Sequence, residues 1–186
     1  MSTDARHRII DATLHLVGTH GIAGITNRRI ASRAEVSLGS ITYHFPSQSD
    51  LLGAALTTFV EEETERLRAI AETYRSQSLS FTEAAVITER VATDLAFTAE
   101  RIAPYELWIQ AGRDPDLRAT ADDCWSAYDA LTVAILRALG VPNAETLGPV
   151  LVATIAGLQL RRLSTGSDTD LAAATLLLLR AAAAQP

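Results

Sequence analysis

The chain has 186 residues, of which 48% are hydrophobic and 20% are charged, so a disordered chain is excluded and a globular fold with a sizeable core is expected. The formal net charge of −6 argues against a protein that coats nucleic acid with its whole surface. Cys124 is the single cysteine, which excludes an intramolecular disulfide, and no apolar leader or run of about 20 apolar residues indicates secretion or a membrane span. We therefore expect a soluble, cytoplasmic protein.

The first helix is predicted by residues that are apolar or small at helical spacing and so mark one buried face. These residues are Ile9, Ala12, Thr13, Leu16 and Val17. Gly18 and Gly21 follow them, and one of these glycines is expected to end the helix in a left-handed cap.

Two short helices are predicted next. Thr26 is placed to cap a helix over residues 27–34, and Ser37 is placed to cap another over residues 38–44. Pro46 ends the second of these, because the residue before a proline is pushed out of the helical region. Two short helices joined by a tight turn behind a longer helix are the layout of a helix-turn-helix.

The remainder of the chain is also predicted to be helical. Residues 47–50, Ser-Gln-Ser-Asp, form a capping box that opens a long fourth helix reaching about Tyr74. Five further helices are predicted over residues 81–101, 104–112, 115–139, 144–163 and 169–183. No stretch alternates as a strand would, so the expected fold is all-α with about nine helices. We expect a helix-turn-helix domain over residues 1–46 and a helical domain over residues 47–186.

The predicted third helix has an outer face that is small and nearly uncharged. The positions left outside when its apolar residues are buried are Leu38, Gly39, Ser40, Thr42 and Tyr43. Such a face fits a major groove about 12 Å wide. Residues 1–50 carry five Arg and four acidic residues, whereas residues 51–186 carry eleven Arg and eighteen acidic residues. This distribution suits a protein that contacts DNA only through its N-terminal part. A plain packing module explains the spacing equally well.

Particular residues in this segment match a known pattern. They are Gly21, Thr26 to Ala31, Ala34 to Ser37, Gly39 to Ile41, His44 to Ser47, and Leu51 with Leu52. The pattern resembles the DNA-binding domain of the tetracycline-repressor (TetR) family and covers about residues 6–56. The length and the helical remainder also fit this family. The resemblance implies an N-terminal domain that binds DNA and a C-terminal domain that binds a small molecule and dimerises.

The resemblance also implies roles for single residues. Thr26 is expected to contact a phosphate and to help cap its helix, and Arg28 is expected to reach a phosphate or a base edge. The base-reading tip is expected to consist of Leu38, Gly39 and Ser40, and the remaining phosphate contacts of Thr42, Tyr43 and His44.

Three residues depart from the family's pattern. Glu35 stands where a turn glycine is usual, so the turn has to form without a residue that adopts positive φ easily. Thr42 replaces a frequent aromatic residue, and Gln48 replaces a common lysine at the start of the fourth helix. These departures weaken individual contacts but leave the hydrophobic pattern intact.

The sequence gives little support for a metal site or an enzyme active site. The four histidines lack metal-ligand spacing, and the run Glu61–Glu63 is most simply a solvated helix face paired to Arg66 and Arg68. Cys124 lies on an apolar helix face and is expected to be a small buried hydrophobe. No phosphate loop or nucleophile motif is present. We therefore predict no catalytic residue, no metal and no cofactor.

Aromatic residues gather on the predicted fifth, sixth and seventh helices. Ordinary core packing and a ligand pocket explain them about equally well from the residues alone. The family resemblance favours the pocket, because these helices typically enclose the family's ligand. The expected lining residues are Phe97, Tyr105, Trp108, Gln110, Trp125 and Tyr128, which suit an apolar or aromatic effector.

The predicted eighth helix is apolar all round, which indicates burial on both sides. A buried core helix explains this pattern, but the family resemblance implies a dimer interface of four helices, built from the last two of each chain. The interface residues expected are Leu151, Ile155, Leu158, Leu176 and Leu179.

The main hypothesis is a homodimeric repressor that binds a pseudo-palindromic operator in double-stranded DNA and is released by a small-molecule effector. One alternative is a helical small-molecule carrier or enzyme whose first three helices only pack, although a catalytic constellation is missing. Another keeps the DNA binding but makes the protein an activator or a structural nucleoid factor.

Overall fold

The computed structural model describes residues 2–74, 79–94, 99–166 and 170–183, and the regular structure within these ranges is entirely helical. Nine α-helices occur there: α1 Ser2–His20, α2 Asn27–Ala34, α3 Leu38–His44, α4 Gln48–Tyr74, α5 Phe81–Asp94, α6 Ala99–Arg113, α7 Arg118–Ala138, α8 Ala144–Thr165 and α9 Leu171–Ala183. Short 3₁₀ turns lie at Ile22–Gly24 and Pro115–Leu117. The all-α expectation is confirmed.

The caps predicted for the two short helices are formed. Thr26 Oγ1 accepts a hydrogen bond of 3.3 Å from the Arg29 N–H at the start of α2. Ser37 Oγ accepts one of 3.1 Å from the Ser40 N–H at the start of α3. Each cap satisfies a backbone donor that the first turn of a helix leaves without a partner, so both helices begin where the sequence indicates. Gly21 follows the end of α1, but its φ of 68° and ψ of 168° lie outside the left-handed helical region, so the expected left-handed cap is not formed.

The turn between α2 and α3 has a left-handed residue. Glu35 adopts φ 53° and ψ 47°, and its own N–H and that of Val36 both reach the Ala31 carbonyl. A glutamate here carries the steric cost that a glycine would avoid, since its β-carbon crowds the following carbonyl oxygen. The turn therefore keeps the positive φ without the glycine.

Helix α4 begins in the predicted capping box. The Asp50 N–H donates to Ser47 Oγ at 3.1 Å, and the Ser47 N–H donates to Asp50 Oδ2 at 3.0 Å. The helix then continues for 27 residues to Tyr74, a length of about 40 Å at 1.5 Å per residue.

Helix α6 differs from its prediction. It begins at Ala99 rather than at Pro104, which lies inside the helix, so the predicted fifth helix over residues 81–101 is also too long at its end. Proline removes one N–H from the helical ladder. Burial outweighs this loss, because Ala103, Leu107 and Ala111 lie four residues apart and are at most 3% exposed.

The chain divides into two compact units, residues 1–62 with 97–123 and residues 63–96 with 124–186. In the first unit, α1 packs against α2, α3 and α6. Its fully buried side chains include Ile9, Ile10, Val17, Ile30, Ile41, Leu56 and Leu107. This division runs through α4, and the domain boundary expected after residue 46 stays a prediction.

In the second unit, α9 packs against α5 and α8. Helix α8 also approaches α7 closely: a β-carbon added at Gly148 would lie 2.7 Å from Val133 Cγ2, so any larger residue there would force Val133 to move. The buried apolar side chains of this unit include Leu131, Ile135, Leu136, Leu151, Leu171 and Leu179.

Candidate DNA-binding surface and buried polar cluster

Helix α3 is anchored by two apolar side chains. Ile41 is 1% exposed and Phe45, which ends the helix, is 5% exposed. The Phe45 N–H donates to the Ile41 carbonyl at 2.8 Å and closes the last turn. With one side of the helix fixed in this way, its opposite side is available to a partner.

The residues predicted to read bases and contact phosphates lie on the outer side of α3. Leu38 is 51% exposed and Tyr43 is 80% exposed, Gly39 and Thr42 are exposed, and Ser40 is half-buried. Single exposed apolar side chains are common, so the relevant feature is the combination of Leu38 and Tyr43 with the small residues between them, which fits a major groove. The placement agrees with a DNA-reading face, and the contacts themselves stay predictions.

The glycine on this face is not required by packing within the chain. A β-carbon added at Gly39 would meet only Ser37 Oγ, at the ordinary contact distance of 3.8 Å. Since glycine also weakens a helix, either the short helix merely tolerates it or DNA approaches the α3 backbone closely at this position.

The arginines of α2 have different surroundings. Arg29 Nη1 donates a hydrogen bond of 2.7 Å to the Gly24 carbonyl and so holds the preceding loop. Arg28 and Arg33 are exposed. Thr26 is also exposed, and its Oγ1 caps α2. This geometry permits the expected contact between Thr26 and a phosphate.

The end of α3 carries a row of rings. The Tyr43 and His44 ring centroids lie 5.1 Å apart in an edge-on arrangement, and those of His44 and Phe45 lie 6.3 Å apart. His44 is half-buried. The two side chains predicted to contact the DNA backbone therefore support each other's orientation.

Residues predicted to line a ligand pocket form one aromatic group in the first unit. The Tyr105 and Trp108 ring centroids lie 5.3 Å apart, and Phe59 of α4 lies 6.4 Å from Trp108, both edge-on. Gln110 is half-buried on the same helix as Tyr105 and Trp108. Phe97 lies outside the described residues.

The other predicted pocket residues belong to the second unit. The Trp125 and Tyr128 ring centroids lie 6.3 Å apart on α7, and Tyr128 is 9% exposed. The structure thus brings the predicted residues together as two groups, one in each unit. Their role in binding a ligand stays a prediction.

A buried carboxylate lies beside Tyr128. Glu63 of α4 is only 7% exposed. Its oxygens accept hydrogen bonds from Arg66 Nε at 2.8 Å and Arg66 Nη2 at 2.7 Å, and Oε1 also accepts one of 2.6 Å from the Tyr128 hydroxyl. These three hydrogen bonds satisfy a charge that is otherwise costly to bury. We refer to Glu63, Arg66, Cys124 and Tyr128 as the polar cluster.

Glu63 is buried, so the prediction that it lies on a solvated face is wrong, while its predicted pairing with Arg66 is present. The helical period contained the missing signal, because Glu63 follows Phe59 and precedes Leu67 by four residues each and so falls on the apolar stripe of α4.

Burial keeps the Cys124 thiol and the Tyr128 hydroxyl of the polar cluster protonated, because it raises the pKa of both groups. It raises the pKa of the Cys124 thiol to about 12, and the Glu63 charge adds to the effect. Burial also raises the pKa of Tyr128 well above its usual value, again with a contribution from Glu63. A thiol with this pKa is a poor nucleophile, in agreement with Cys124 as a buried hydrophobe.

The last two helices present both buried and exposed apolar residues. Of the residues predicted for a dimer interface, Leu151 and Leu179 are buried within the chain itself, at 6% and 3% exposed. Ile155, Leu158 and Leu176 are half-buried. The large apolar side chains left exposed on α8 and α9 are Val150, Leu160 and Leu177, at 58%, 49% and 70%.

Among the described residues, no group of three or more His, Cys, Asp or Glu side chains is placed to hold a metal ion. No helix in the described part of the chain is long and apolar enough to cross a membrane.

Comparison with known families gives two matches that together cover most of the chain. Residues 9–55 match the family described as bacterial regulatory proteins, tetR family. Residues 81–185 match the tetracyclin repressor-like C-terminal domain.

Single proteins give the same result. The HTH-type transcriptional regulator BetI of Burkholderia thailandensis is 28% identical over 182 residues, which cover 92% of this chain and 88% of that protein. A crystal structure of the multidrug binding protein EbrR complexed with ethidium is 32% identical, covers 95% of this chain and 96% of that one, and has a TM-score of 0.71. A TetR-family member from Streptomyces coelicolor A3 is 32% identical with the same coverage and a TM-score of 0.75.

Proposed function

Because this chain belongs to the TetR family of DNA-binding transcriptional regulators, we propose that it is a dimeric repressor released from its operator by an aromatic small molecule. Membership in a family of regulators disfavours the alternative of a carrier or enzyme whose first helices only pack. The observation that supports the proposal most directly is the outer side of α3, where Leu38 and Tyr43 are 51% and 80% exposed around Gly39.

We infer that Leu38, Gly39 and Ser40 read base edges, with Arg28 as a fourth contact. Thr26, Thr42, Tyr43 and His44 then bind phosphates on either side of the groove. Hydroxyl, imidazole and guanidinium donors are the groups that usually bind phosphate oxygens, and small or apolar groups contact base edges without a clash. The caps at Thr26 and Ser37 fix the two helices that carry these groups.

The operator contact is tested by measuring the affinity for DNA fragments recovered by genomic selection, at several salt concentrations. A protein that neutralises phosphates loses affinity steeply as salt rises. Tyr43→Phe should weaken binding to all sequences alike, because a phosphate contact carries no sequence information. Tyr105→Phe, which removes a hydroxyl from α6, serves as the control. An affinity that does not change with salt would contradict the proposal.

We infer that two copies of the chain associate through α8 and α9, which places two recognition helices about 34–36 Å apart on the operator. Leu177 and Val150 support this, because they are large apolar side chains left exposed on these two helices, at 70% and 58%. Leu177→Glu should produce monomers in analytical ultracentrifugation. Val86→Glu, at a residue 55% exposed on α5, should leave the dimer intact.

An aromatic effector is supported by the two aromatic groups and by the structural similarity to EbrR, which is described in complexes with ethidium, proflavin and malachite green. Each of these compounds can be titrated against the protein while tryptophan fluorescence is recorded, with Trp108→Phe and Trp125→Phe identifying the responding residue. A coupling of about 1–3 kcal/mol lowers the operator affinity about 5- to 150-fold. Expression changes in a deletion strain distinguish repression from activation.

A further inference from the structure

Arg6 on α1 lies against the end of the recognition helix. Its guanidinium Cζ is 5.4 Å from the centroid of the Phe45 ring. Phe45 ends α3 and is 5% exposed, so the ring is a fixed platform for the arginine. Arg6 itself is exposed. The contact therefore holds a positive charge at one place on the surface of the first unit.

The position of this charge matters because of its neighbours. Phe45 adjoins His44, whose ring lies 5.1 Å from that of the exposed Tyr43. Tyr43 and His44 are the proposed phosphate contacts at this end of α3. Arg6 thus extends the same row of donors from α3 onto α1.

Stacking alone does not use the hydrogen-bonding capacity of Arg6. A guanidinium beside an aromatic ring can still donate its N–H groups to an oxygen acceptor. Within the described residues Arg6 makes no ion pair, whereas Arg8 on the same helix lies 3.8 Å from Asp4 Oδ2. The N–H edge of Arg6 is available to an external acceptor.

We propose that Arg6 binds a phosphate of the operator, on the stretch of DNA backbone that Tyr43 and His44 contact. This inference rests on the proposed function. Guanidinium and phosphate are matched in charge and in the spacing of donors and acceptors, which makes arginine a strong phosphate ligand. The Phe45 ring positions the arginine before DNA arrives, so little side-chain freedom is lost on binding.

The test compares wild-type protein with Arg6→Met, which keeps an apolar stem over Phe45 but removes the charge. Affinity should fall at least about tenfold, and equally for specific and non-specific DNA. The slope of log affinity against log salt should become shallower by about 1.8 per dimer, at about 0.9 for each lost phosphate contact. Arg6→Lys should keep the slope, because it retains a charge.

The matched control is Arg137→Met in the other unit. It removes the same charge from an exposed ion pair with Glu145 and should leave the salt slope unchanged. An unchanged slope in Arg6→Met would overturn the inference and leave Arg6 a packing residue. A loss confined to the specific operator would also overturn it. If the wild-type protein itself shows no salt-dependent binding, the proposed function fails first, so the two failures are distinguishable.

Discussion

The Tyr128 hydroxyl donates a hydrogen bond of 2.6 Å to Oε1 of Glu63, and this bond joins α7 to α4 inside the second unit. Both side chains are less than a tenth exposed. Arg66 brings the only positive charge that the described contacts of Glu63 contain. A buried carboxylate is tolerated when all its partners are present and becomes costly when one is removed.

We therefore expect Tyr128→Phe to destabilise the protein. The substitution keeps the ring but removes one of the two hydrogen bonds to Oε1 of Glu63 and leaves only that from Arg66 Nη2, a change that costs about 1–3 kcal/mol at a buried charge. Urea denaturation, followed by circular dichroism, measures the free energy of unfolding of the two proteins.

Tyr105→Phe is the control for this experiment. Tyr105 is half-buried, and its hydroxyl makes no hydrogen bond to the described residues. Its removal should change the stability by less than about 0.5 kcal/mol. If both variants lose the same stability, the bond between Tyr128 and Glu63 has no particular importance.

The Cys124 thiol should make stability depend on alkaline pH. In the folded protein its pKa is about 12, whereas the ordinary value is 9.0. The thiol's contribution is fully present below pH 9 and is lost as the pH rises toward 12, because the unfolded chain releases its proton first. The expected slope is about 1.4 kcal/mol per pH unit above pH 9.

Cys124→Ala separates this effect from other titrations. The variant should be less stable at neutral pH, since it leaves a small cavity, but its free energy of unfolding should fall less steeply between pH 9 and 10.5. Ser126→Ala, at an exposed residue on the same helix, should keep the wild-type slope. Equal slopes in the Cys124→Ala and wild-type proteins would count against a raised pKa.

The N-terminal elements could be predicted from local chemistry. Thr26 and Ser37 bind backbone donors three residues away, so the signals that start α2 and α3 lie within a few residues of each helix. Pro104 shows where this reasoning fails. A proline is typical of a helix start, but the burial of Leu107 and Ala111 holds the residues before Pro104 in helix as well.

The polar cluster could not be predicted in full for a similar reason. Helical spacing places Glu63 on an apolar stripe, but its partner Tyr128 is 65 residues away in sequence. No local sequence pattern indicates a contact between two residues that lie so far apart in the chain. Arg6 and Phe45 illustrate the same limit on the DNA-binding surface, since their contact depends on how α1 packs against α3.

Glu35→Gly should stabilise the helix-turn-helix. Glu35 adopts φ 53°, and a left-handed residue with a β-carbon costs about 1–2 kcal/mol. Glycine relieves this cost, but it also increases the conformational entropy of the unfolded chain, which lowers the stability by about 0.4–1 kcal/mol. The net gain should be about 0.5–1 kcal/mol, measured by thermal or urea unfolding.

Two variants check the cause of this gain. Glu35→Ala keeps the β-carbon and should leave the stability nearly unchanged. Asn143→Gly, at the other non-glycine residue with positive φ among those described, should gain less, because asparagine tolerates this conformation. A gain of equal size from Glu35→Ala would point to the charge of Glu35 rather than to its backbone.

Gly39→Ala should change stability and DNA binding in opposite directions. The added β-carbon meets only Ser37 Oγ at 3.8 Å, so it fits the folded chain without a clash. Alanine favours a helix over glycine by about 0.8–1.0 kcal/mol, and the protein should become more stable by up to that amount. Affinity for the operator should nevertheless fall, because the methyl group occupies space that the proposed function gives to a base or a phosphate.

The combination of the two measurements decides why this glycine is present. Higher stability together with weaker operator binding means that the α3 backbone approaches DNA closely at Gly39, since packing within the chain gives no reason for a glycine there. Higher stability with unchanged affinity means that the short helix merely tolerates glycine, and the base-reading tip then consists of Leu38 and Ser40. Ser32→Ala on the exposed side of α2 is the control, because it alters a small exposed residue on the neighbouring helix without adding a side-chain atom.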